Sequence, residues 1–290
     1  MKTFRFPRPH LVVFPSARKL RGYRSYWMAA CLLCFGLGCA AARLRLAAPE
    51  ETHRLESGQL VLQAPFPLSH SHPLVQQLRG VCQEVYATLE LPPGTSPIHV
   101  RLFSSREELD TFRRVRFPGA PARRAFFVEE KGQLQVFAAW GPRVAEDLRH
   151  EVVHGCLHSV VPKLPLWLDE GLAEYFELTT FANRDNPAHR QLLLEQMGLG
   201  WQPDLARLEQ LDSPAQMTQQ DYAECWAWVH FLLHTTLERK ALLQQYLRRC
   251  RSETEPGSLQ QLWARQEPWP RVQAQLRKHL IRLASHAAKQ

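Results

Sequence analysis

The chain changes from a mixture of strands and helices to helices alone near Gly141-Pro142, and this order constrains its fold more than any other feature. Short apolar or alternating runs before that point predict strands at 60–64, 98–103, 125–129 and 133–139. Helical spacing predicts helices at 74–89, from Ser104-Ser105 onward, and at about 144–160, 166–178, 189–197, 219–237, 240–251 and 269–284. This order is typical of an α+β fold rather than a doubly wound sheet. We therefore predict a small N-terminal β-sheet with helices, followed by an all-helical C-terminal subdomain.

A basic head precedes the longest uncharged run of the chain. Seven Lys and Arg residues and no Asp or Glu precede residue 39, and residues 26–42 are uncharged up to Arg43. Cations followed by an apolar run are typical of the n-region and h-region of an export signal. We interpret residues 1–42 as an export signal or membrane anchor outside the folded part. This predicts an exported, periplasmic or cell-envelope protein that is held at a membrane by its N-terminus.

Three endings of this segment remain open. Gly36-Leu37-Gly38-Cys39 resembles a bacterial lipobox, in which Cys39 would be acylated and the protein would be a lipoprotein. Ala40-x-Ala42 fits cleavage of a signal peptide at small residues. An uncleaved anchor is the third ending, although 17 uncharged residues are marginal for a hydrocarbon core of ~30 Å. In a eukaryotic source the same acid-free head would be typical of an organelle transit signal.

The net charge of +8 is concentrated in this basic head. Without its seven cations, 29 basic and 28 acidic residues remain, a net charge of +1. Recognition of a phosphate backbone needs a basic patch or stripe. The nearly neutral body therefore argues against nucleic acid as a partner.

The rest of the chain divides into three parts. Residues 43–58 are polar, contain Pro49 and lack a sustained period, which predicts a linker. We expect residues 59–180 to form the subdomain that carries the site described below, and residues 181–290 to form the helical subdomain. These parts contain four cysteines, which can pair in three ways: Cys82, Cys156, Cys225 and Cys250. Because their spacing matches no disulfide framework, we interpret them mainly as small buried residues.

The sequence His150-Glu151-Val152-Val153-His154 lies within the helix predicted for 144–160. Residues four apart share one face of a helix, so both imidazoles can bind one metal ion while Glu151 points at its open position. Two solvent-facing histidines on an ordinary helix are the alternative explanation of this motif taken alone. The carboxylates of the next helix favour the metal site.

The helix predicted for 166–178 can supply a third ligand. Hydrolytic zinc sites often combine two His, one carboxylate and a water molecule. The break at 162–165 is short enough for the two helices to form an antiparallel pair. With a rise of ~1.5 Å per residue, Glu170 is then level with His154.

Two further carboxylates lie on the same face of this helix. Glu174, one turn beyond Glu170, would be level with His150. We predict that Glu174 holds the second nitrogen of that imidazole, as carboxylates around metal ligands commonly do. Glu177 continues the same face, and we interpret it as solvated.

Other candidate ligands fit the site less well. His158 lies eight residues after His150, ~12 Å along the axis, which is too far for both to bind one ion. A third His six residues after the second is ruled out because that position is Val160. Cys156 is rotated by about 200° from His154 and faces away.

The motif HEVVH followed by LPLWLDEGLAEYFE resembles the gluzincin zinc metallopeptidases, in particular the peptidase MA-like group. The match of residues 167–173 to the third-ligand helix of that family is specific, and the order of elements is similar from about residue 59 to 235. The resemblance implies a gluzincin-like fold, with Zn²⁺ held by His150, His154 and Glu170, and a peptide or protein substrate. It also implies that Glu151 is the general base.

The mechanism that the resemblance implies needs an oxyanion donor. A zinc-bound water would attack the scissile carbonyl while Glu151 takes its proton and passes it to the leaving amine. Tyr222 resembles a Tyr that some gluzincins carry on a later helix. The alternative is that Tyr222 belongs to a buried stripe at 3,4 spacing with Cys225, Trp226 and Val229.

These inferences predict an exported zinc metallopeptidase that hydrolyses peptide bonds. A zinc hydrolase acting on non-peptide amides would use the same residues. A non-catalytic binding or assembly module that keeps the metal site as a scaffold is the alternative from another class, and the intact Glu151 argues against it. The strand at 133–139 is either a sheet edge that pairs with an extended peptide, as the fold of the family implies, or an interior strand.

Overall fold

The structure, a computed structural model, describes residues 52–178 and 184–287. Residues 1–42, with the predicted export signal and Cys39, lie outside the described residues. Within the part of the chain that is described, no helix combines the length and the apolar character that crossing a membrane requires.

A mixed five-stranded sheet forms the N-terminal part of the fold. Its strands are β1 (His53–Ser57), β2 (Leu60–Ala64), β3 (Ile98–Phe103), β4 (Ala125–Glu130) and β5 (Gln133–Ala139). The strand order is β1-β2-β3-β5-β4, in which β2, β3 and β5 are parallel and the two outer strands pair antiparallel with their neighbours. The prediction of an α+β fold with a small N-terminal sheet is confirmed.

The prediction that residues 43–58 form only a linker is wrong for 53–57, which form β1. Gly58, with φ of 64°, turns the chain so that Ser57 pairs with Leu60. Leu55 is the one large apolar residue of β1. Most side chains of this outer strand are exposed, so the strand needs few apolar residues. A strand that buries so little carries too weak an alternation to be recognised in the sequence.

The other regular elements of the described chain are α-helices, apart from a short 3-10 helix at Pro214–Gln216. The α-helices are α1 (Pro73–Leu89), α2 (Arg106–Arg116), α3 (Val144–His158), α4 (Leu166–Phe176), α5 (Pro187–Gly198), α6 (Leu205–Leu208), α7 (Gln219–His234), α8 (Leu237–Ser252), α9 (Leu259–Ala264) and α10 (Trp269–Ala287). The sequence did not predict α6 and α9, which are too short to show a helical period. Asp204 and Ser258 cap them by accepting hydrogen bonds from backbone N–H groups of their first turns.

The sheet separates two clusters of buried apolar side chains. Val100 and Val136 point to one face, where they share a core with Leu78 of α1 and Val152 of α3. The opposite face packs against α2 through a smaller cluster: Phe103, Leu109, Phe117, Phe126, Val128, Phe137 and Ala139. The larger cluster also includes buried residues of α4, α5 and α7 to α10, so the regions 59–180 and 181–290 share one hydrophobic core.

Helix α7 lies at the centre of the helical part, and α4 packs directly against it. A Cβ atom at Gly171 of α4 would lie 2.6 Å from the backbone oxygen of Cys225 in α7. Only glycine at this position therefore allows the two helices to approach so closely.

The four cysteines of the described chain are buried, as predicted, and all four are free thiols. Cys82 of α1 and Cys156 of α3 face each other, with their sulfur atoms 2.7 Å apart. Cys156 thus points away from His154, in agreement with the helical geometry.

Candidate metal centre

Helix α3 presents His150, Glu151 and His154 on one buried surface. His150 is 3% exposed, and the other two side chains are fully buried. The two imidazole rings, one helical turn apart, have their centroids 4.9 Å from each other. Burial rules out the alternative of two solvent-facing histidines.

Helix α4 brings Glu170 to the same place. Its Oε2 lies 3.6 Å from Nε2 of His150 and 3.9 Å from Nε2 of His154. One potential ligand atom from each of the three residues lies within 4.8 Å of the others. A tetrahedral ion with ligands at ~2.1 Å keeps them ~3.4 Å apart, so small side-chain movements suffice to close the site around a metal.

Carboxylates from the end and the beginning of α4 orient the two imidazoles. Nδ1 of His150 donates to Oε2 of Glu177 at 3.0 Å, and Nδ1 of His154 donates to Oδ1 of Asp169 at 2.9 Å. Ionised carboxylates only accept hydrogen bonds, so both Nδ1 atoms carry the proton and both Nε2 atoms are left as metal ligands. This is the arrangement that metal-binding histidines commonly show.

The prediction that Glu177 is solvated is wrong. Glu177, rather than the predicted Glu174, makes the hydrogen bond to Nδ1 of His150, and a carboxylate oxygen of Glu174 also lies within 4.8 Å of a ring nitrogen of His150. Glu177 is 3% exposed and holds His150, whereas Glu174 accepts a hydrogen bond from Nε2 of His189 at 2.8 Å. Side chains of a helix lean toward its N-terminus, so a residue beyond the expected level reaches back to the imidazole. The sequence places Glu177 on the correct face, but it does not indicate this displacement along the axis.

Asp169 also connects the site to the sheet. Its second carboxylate oxygen lies 3.1 Å from Nε2 of His158, and Nδ1 of His158 lies 2.8 Å from Oε2 of Glu129 in β4. Burial lowers the pKa of His158, but the two carboxylates outweigh it and raise the pKa to about 10. Burial likewise raises the pKa of Asp169, but His154 and His158 lower it to about 2. His158 is therefore a charged partner of Asp169 and not a ligand.

The chemistry of the buried groups fits a divalent cation. Neither carboxylate oxygen of Glu151 has a hydrogen-bond partner among the described residues, and Nε2 of His154 has none. Burial raises the pKa of Glu151, and the repulsion by Glu170 raises it further against the opposing effect of His150 and His154. Two buried carboxylates near a single arginine leave an excess of negative charge, which is unfavourable in a buried site. A metal ion with a bound water would supply both the charge and the hydrogen-bond donors.

Tyr222 of α7 faces this centre. The side chain is 1% exposed, and its neighbours Cys225, Trp226 and Val229 are fully buried, so the stripe expected from the spacing is confirmed. Burial raises the pKa of the phenol, as does the nearby charge of Glu170. Tyr222 thus keeps its phenolic proton, and it lies near enough to Glu170 to feel the charge of that carboxylate.

Arg123 is a residue of the site that the sequence did not reveal. It lies in the loop before β4, and its guanidinium interacts electrostatically with Glu151, Tyr222 and Glu170. Burial lowers its pKa, while these three groups raise it. An arginine in a polar loop belongs to no motif and no period, so no local signal distinguishes it from the neighbouring Arg124.

The sheet edge next to the site is β4. Of the two alternatives for residues 133–139, the structure confirms the interior strand, because β5 lies between β3 and β4. A two-residue turn at Lys131-Gly132, where both φ angles are positive, folds β4 back onto β5. Phe127 of β4 stacks against His154 with ring centroids 6.0 Å apart, so this outer strand runs beside the candidate metal centre.

The comparisons with known proteins add little about activity. Residues 144–256 are similar to a family described as "Protein of unknown function (DUF1570)". The matched segment runs from the start of α3 beyond the end of α8, and it includes His150, Glu151, His154, Glu170 and Tyr222. It does not include Arg123 or the sheet. No curated protein matches the chain.

Proposed function

We propose that this protein is a zinc-dependent metallopeptidase of gluzincin type that hydrolyses peptide bonds. The observation that carries the proposal is the convergence of His150, His154 and Glu170, whose potential ligand atoms lie within 4.8 Å of one another. The buried carboxylate of Glu151 is next to them on α3. Two imidazoles and one carboxylate with room for a water are the donor set of hydrolytic zinc enzymes.

Zn²⁺ bound by these residues would lower the pKa of a bound water toward ~7 and polarise the scissile carbonyl. Glu151 would accept the proton of the attacking water at its carboxylate and deliver it to the leaving amine. Its raised pKa makes it a stronger base than an exposed glutamate. Asp169 and Glu177 keep Nε2 of each histidine directed into the site.

Tyr222 and β4 would position the substrate. The phenol can donate a hydrogen bond to the oxygen that becomes negative when the carbonyl is attacked. The outer edge of β4 can pair with an extended peptide, which would then pass beside His154. The exported, membrane-held location inferred from residues 1–42 belongs to the same proposal.

Digestion of a diverse peptide library by the full-length zinc-loaded chain tests the proposal. New N-termini detected by mass spectrometry, lost on treatment with a chelator and restored by zinc, are the expected result. An intact library together with tight binding of a protein partner would instead favour the non-catalytic scaffold. Cleavage of simple amides without cleavage of peptides would identify a non-peptide amidohydrolase.

We expect Glu177→Gln to weaken zinc binding by about 10- to 100-fold, because outer carboxylates that hold a ligating imidazole have effects of this size. Glu195→Gln is the matched control, since it makes the same change at an exposed glutamate of α5. Chelator competition measures both affinities. Equal losses in the two variants would contradict the assignment of Glu177 to His150.

Tyr222→Phe removes the hydroxyl and keeps the ring, so it separates catalysis from packing. If the hydroxyl stabilises the oxyanion, turnover should fall about 10²-fold while the melting temperature stays unchanged. Steady-state kinetics and thermal unfolding of the same preparation measure the two effects. Unchanged turnover would leave Tyr222 as a packing residue only.

A further inference from the structure

We propose that Arg123 binds a carboxylate of the substrate at the candidate metal centre. The carboxylate belongs either to the C-terminus of a peptide or to an Asp or Glu side chain close to the scissile bond. This inference rests on the proposed function, and it adds the chemical class of the group that the site recognises.

The loop that carries Arg123 is anchored on both sides of it. The guanidinium of Arg113 in α2 donates to the backbone oxygen of Ala120. Arg124 donates twice to Asp147 of α3, at 2.8 Å each, and its backbone oxygen accepts from Ala139 of β5 at 2.9 Å. These contacts fix the backbone at the beginning of β4, so the position of Arg123 is set by the fold.

The guanidinium of Arg123 has hydrogen-bonding capacity left in this position. Its Nη1 atom is buried and has no hydrogen-bond partner among the described residues. Its charge interacts with Glu151, Glu170 and Tyr222, which come from three different helices and surround the site. A buried donor without an acceptor is unfavourable, and more so when it is charged. A ligand that brings an acceptor to this point therefore gains free energy.

A carboxylate fits this position better than a neutral acceptor. A divalent metal ion would balance the two negative charges of Glu151 and Glu170, which leaves the charge of Arg123 uncompensated at the site. The planar guanidinium matches a carboxylate with two parallel hydrogen bonds. Arg123 also stands two residues before β4, which begins at Ala125 and is the outer strand beside His154. A peptide along this edge would pass the guanidinium.

Peptide binding without turnover tests the proposal. Full-length zinc-loaded Glu151→Gln protein is titrated with labelled random hexapeptide pools that end in either a carboxylate or a carboxamide. A second pair of pools, all amidated, carries either Glu or Gln at one central position. Fluorescence anisotropy measures each dissociation constant. We expect the acidic member of one pair to bind at least ~10-fold more tightly, and the pair that shows the difference identifies the source of the carboxylate.

Adding the Arg123→Gln substitution to this protein should remove the preference. The affinity for the acidic pool should fall about 10- to 100-fold, and the affinity for the neutral pool should stay unchanged. Arg123→Lys should keep part of the preference, because the charge remains while the planar fork is lost. Arg143→Gln is the matched control: it removes the same charge from the N-cap of α3, where Arg143 pairs with Glu146 at the surface. Zinc content and melting temperature are measured for every variant.

Equal binding of the acidic and neutral pools, or binding of no pool at all, would overturn the proposal. An Arg123→Gln variant that loses the same affinity for the acidic and the neutral pool of a pair would also overturn it. None of these results alters zinc binding or library cleavage by the wild type, so the proposed function would stand. Conversely, a preserved carboxylate preference without any cleavage would reject the peptidase and leave Arg123 as a binding residue.

Discussion

Glu170→Ala is expected to abolish stoichiometric zinc binding in a protein that still folds. Wild-type protein should bind one zinc ion per chain, and zinc should raise its melting temperature because a ligand that binds only the native state stabilises it. The loss of affinity should exceed the ~10- to 100-fold effect of an outer carboxylate. Elemental analysis and chelator competition measure the binding, and thermal unfolding measures the shift.

The metal-free variant should be no less stable than the metal-free wild type. Glu170 and Glu151 are both fully buried, and Glu170 repels the charge of Glu151. Removing Glu170 relieves this repulsion. Glu195→Ala, which removes an exposed glutamate of α5, should leave zinc binding unchanged. Undiminished zinc in Glu170→Ala would reject the ligand set of His150, His154 and Glu170.

Glu151→Gln is expected to retain zinc and to lose about 10²- to 10⁴-fold in kcat. Gln occupies the same volume and can accept a hydrogen bond, but it cannot take a proton from water and pass it to the leaving amine. Because the side chain is not among the three proposed ligands, metal content should stay at one ion per chain. Steady-state kinetics on a peptide identified from the library, with elemental analysis of the same sample, measure both quantities.

Turnover close to that of the wild type in Glu151→Gln would show that another group is the base. Loss of zinc together with activity would show that Glu151 helps to hold the metal, and the catalytic assignment would then lose its support. The buried carboxylate also predicts a difference in stability. Because Gln removes a buried charge, the metal-free variant should unfold at a higher temperature than the metal-free wild type.

Several features of the protein follow from the sequence because they are encoded within one segment. The strands β2 to β5 and the longer helices repeat an apolar pattern with a period that local residues define. His150 and His154 share a helix face whatever surrounds that helix. The antiparallel pairing of α3 and α4 follows from a short connection, and it was sufficient to bring Glu170 to the two imidazoles.

Other features depend on how distant segments pack. The level at which α4 meets α3 decides that Glu177 hydrogen-bonds to Nδ1 of His150, while Glu174 hydrogen-bonds to His189. Gly171 allows α4 to pack closely against α7, through a contact with the backbone of Cys225 that joins residues far apart in the chain. Strand β1 exists because β2 offers it a partner, although its own residues are mostly exposed.

The sequence by itself thus determined the fold class, the candidate metal-binding motif and the helix that brings a carboxylate to it. Only the tertiary structure decided which acidic residues orient the histidines, which strand forms the edge beside them, and that Arg123 reaches the site. The physical reason is that periodicity and capping are local properties of the chain. Contacts between side chains of separate elements depend on rotations and displacements of those elements, which the packing of the whole core sets.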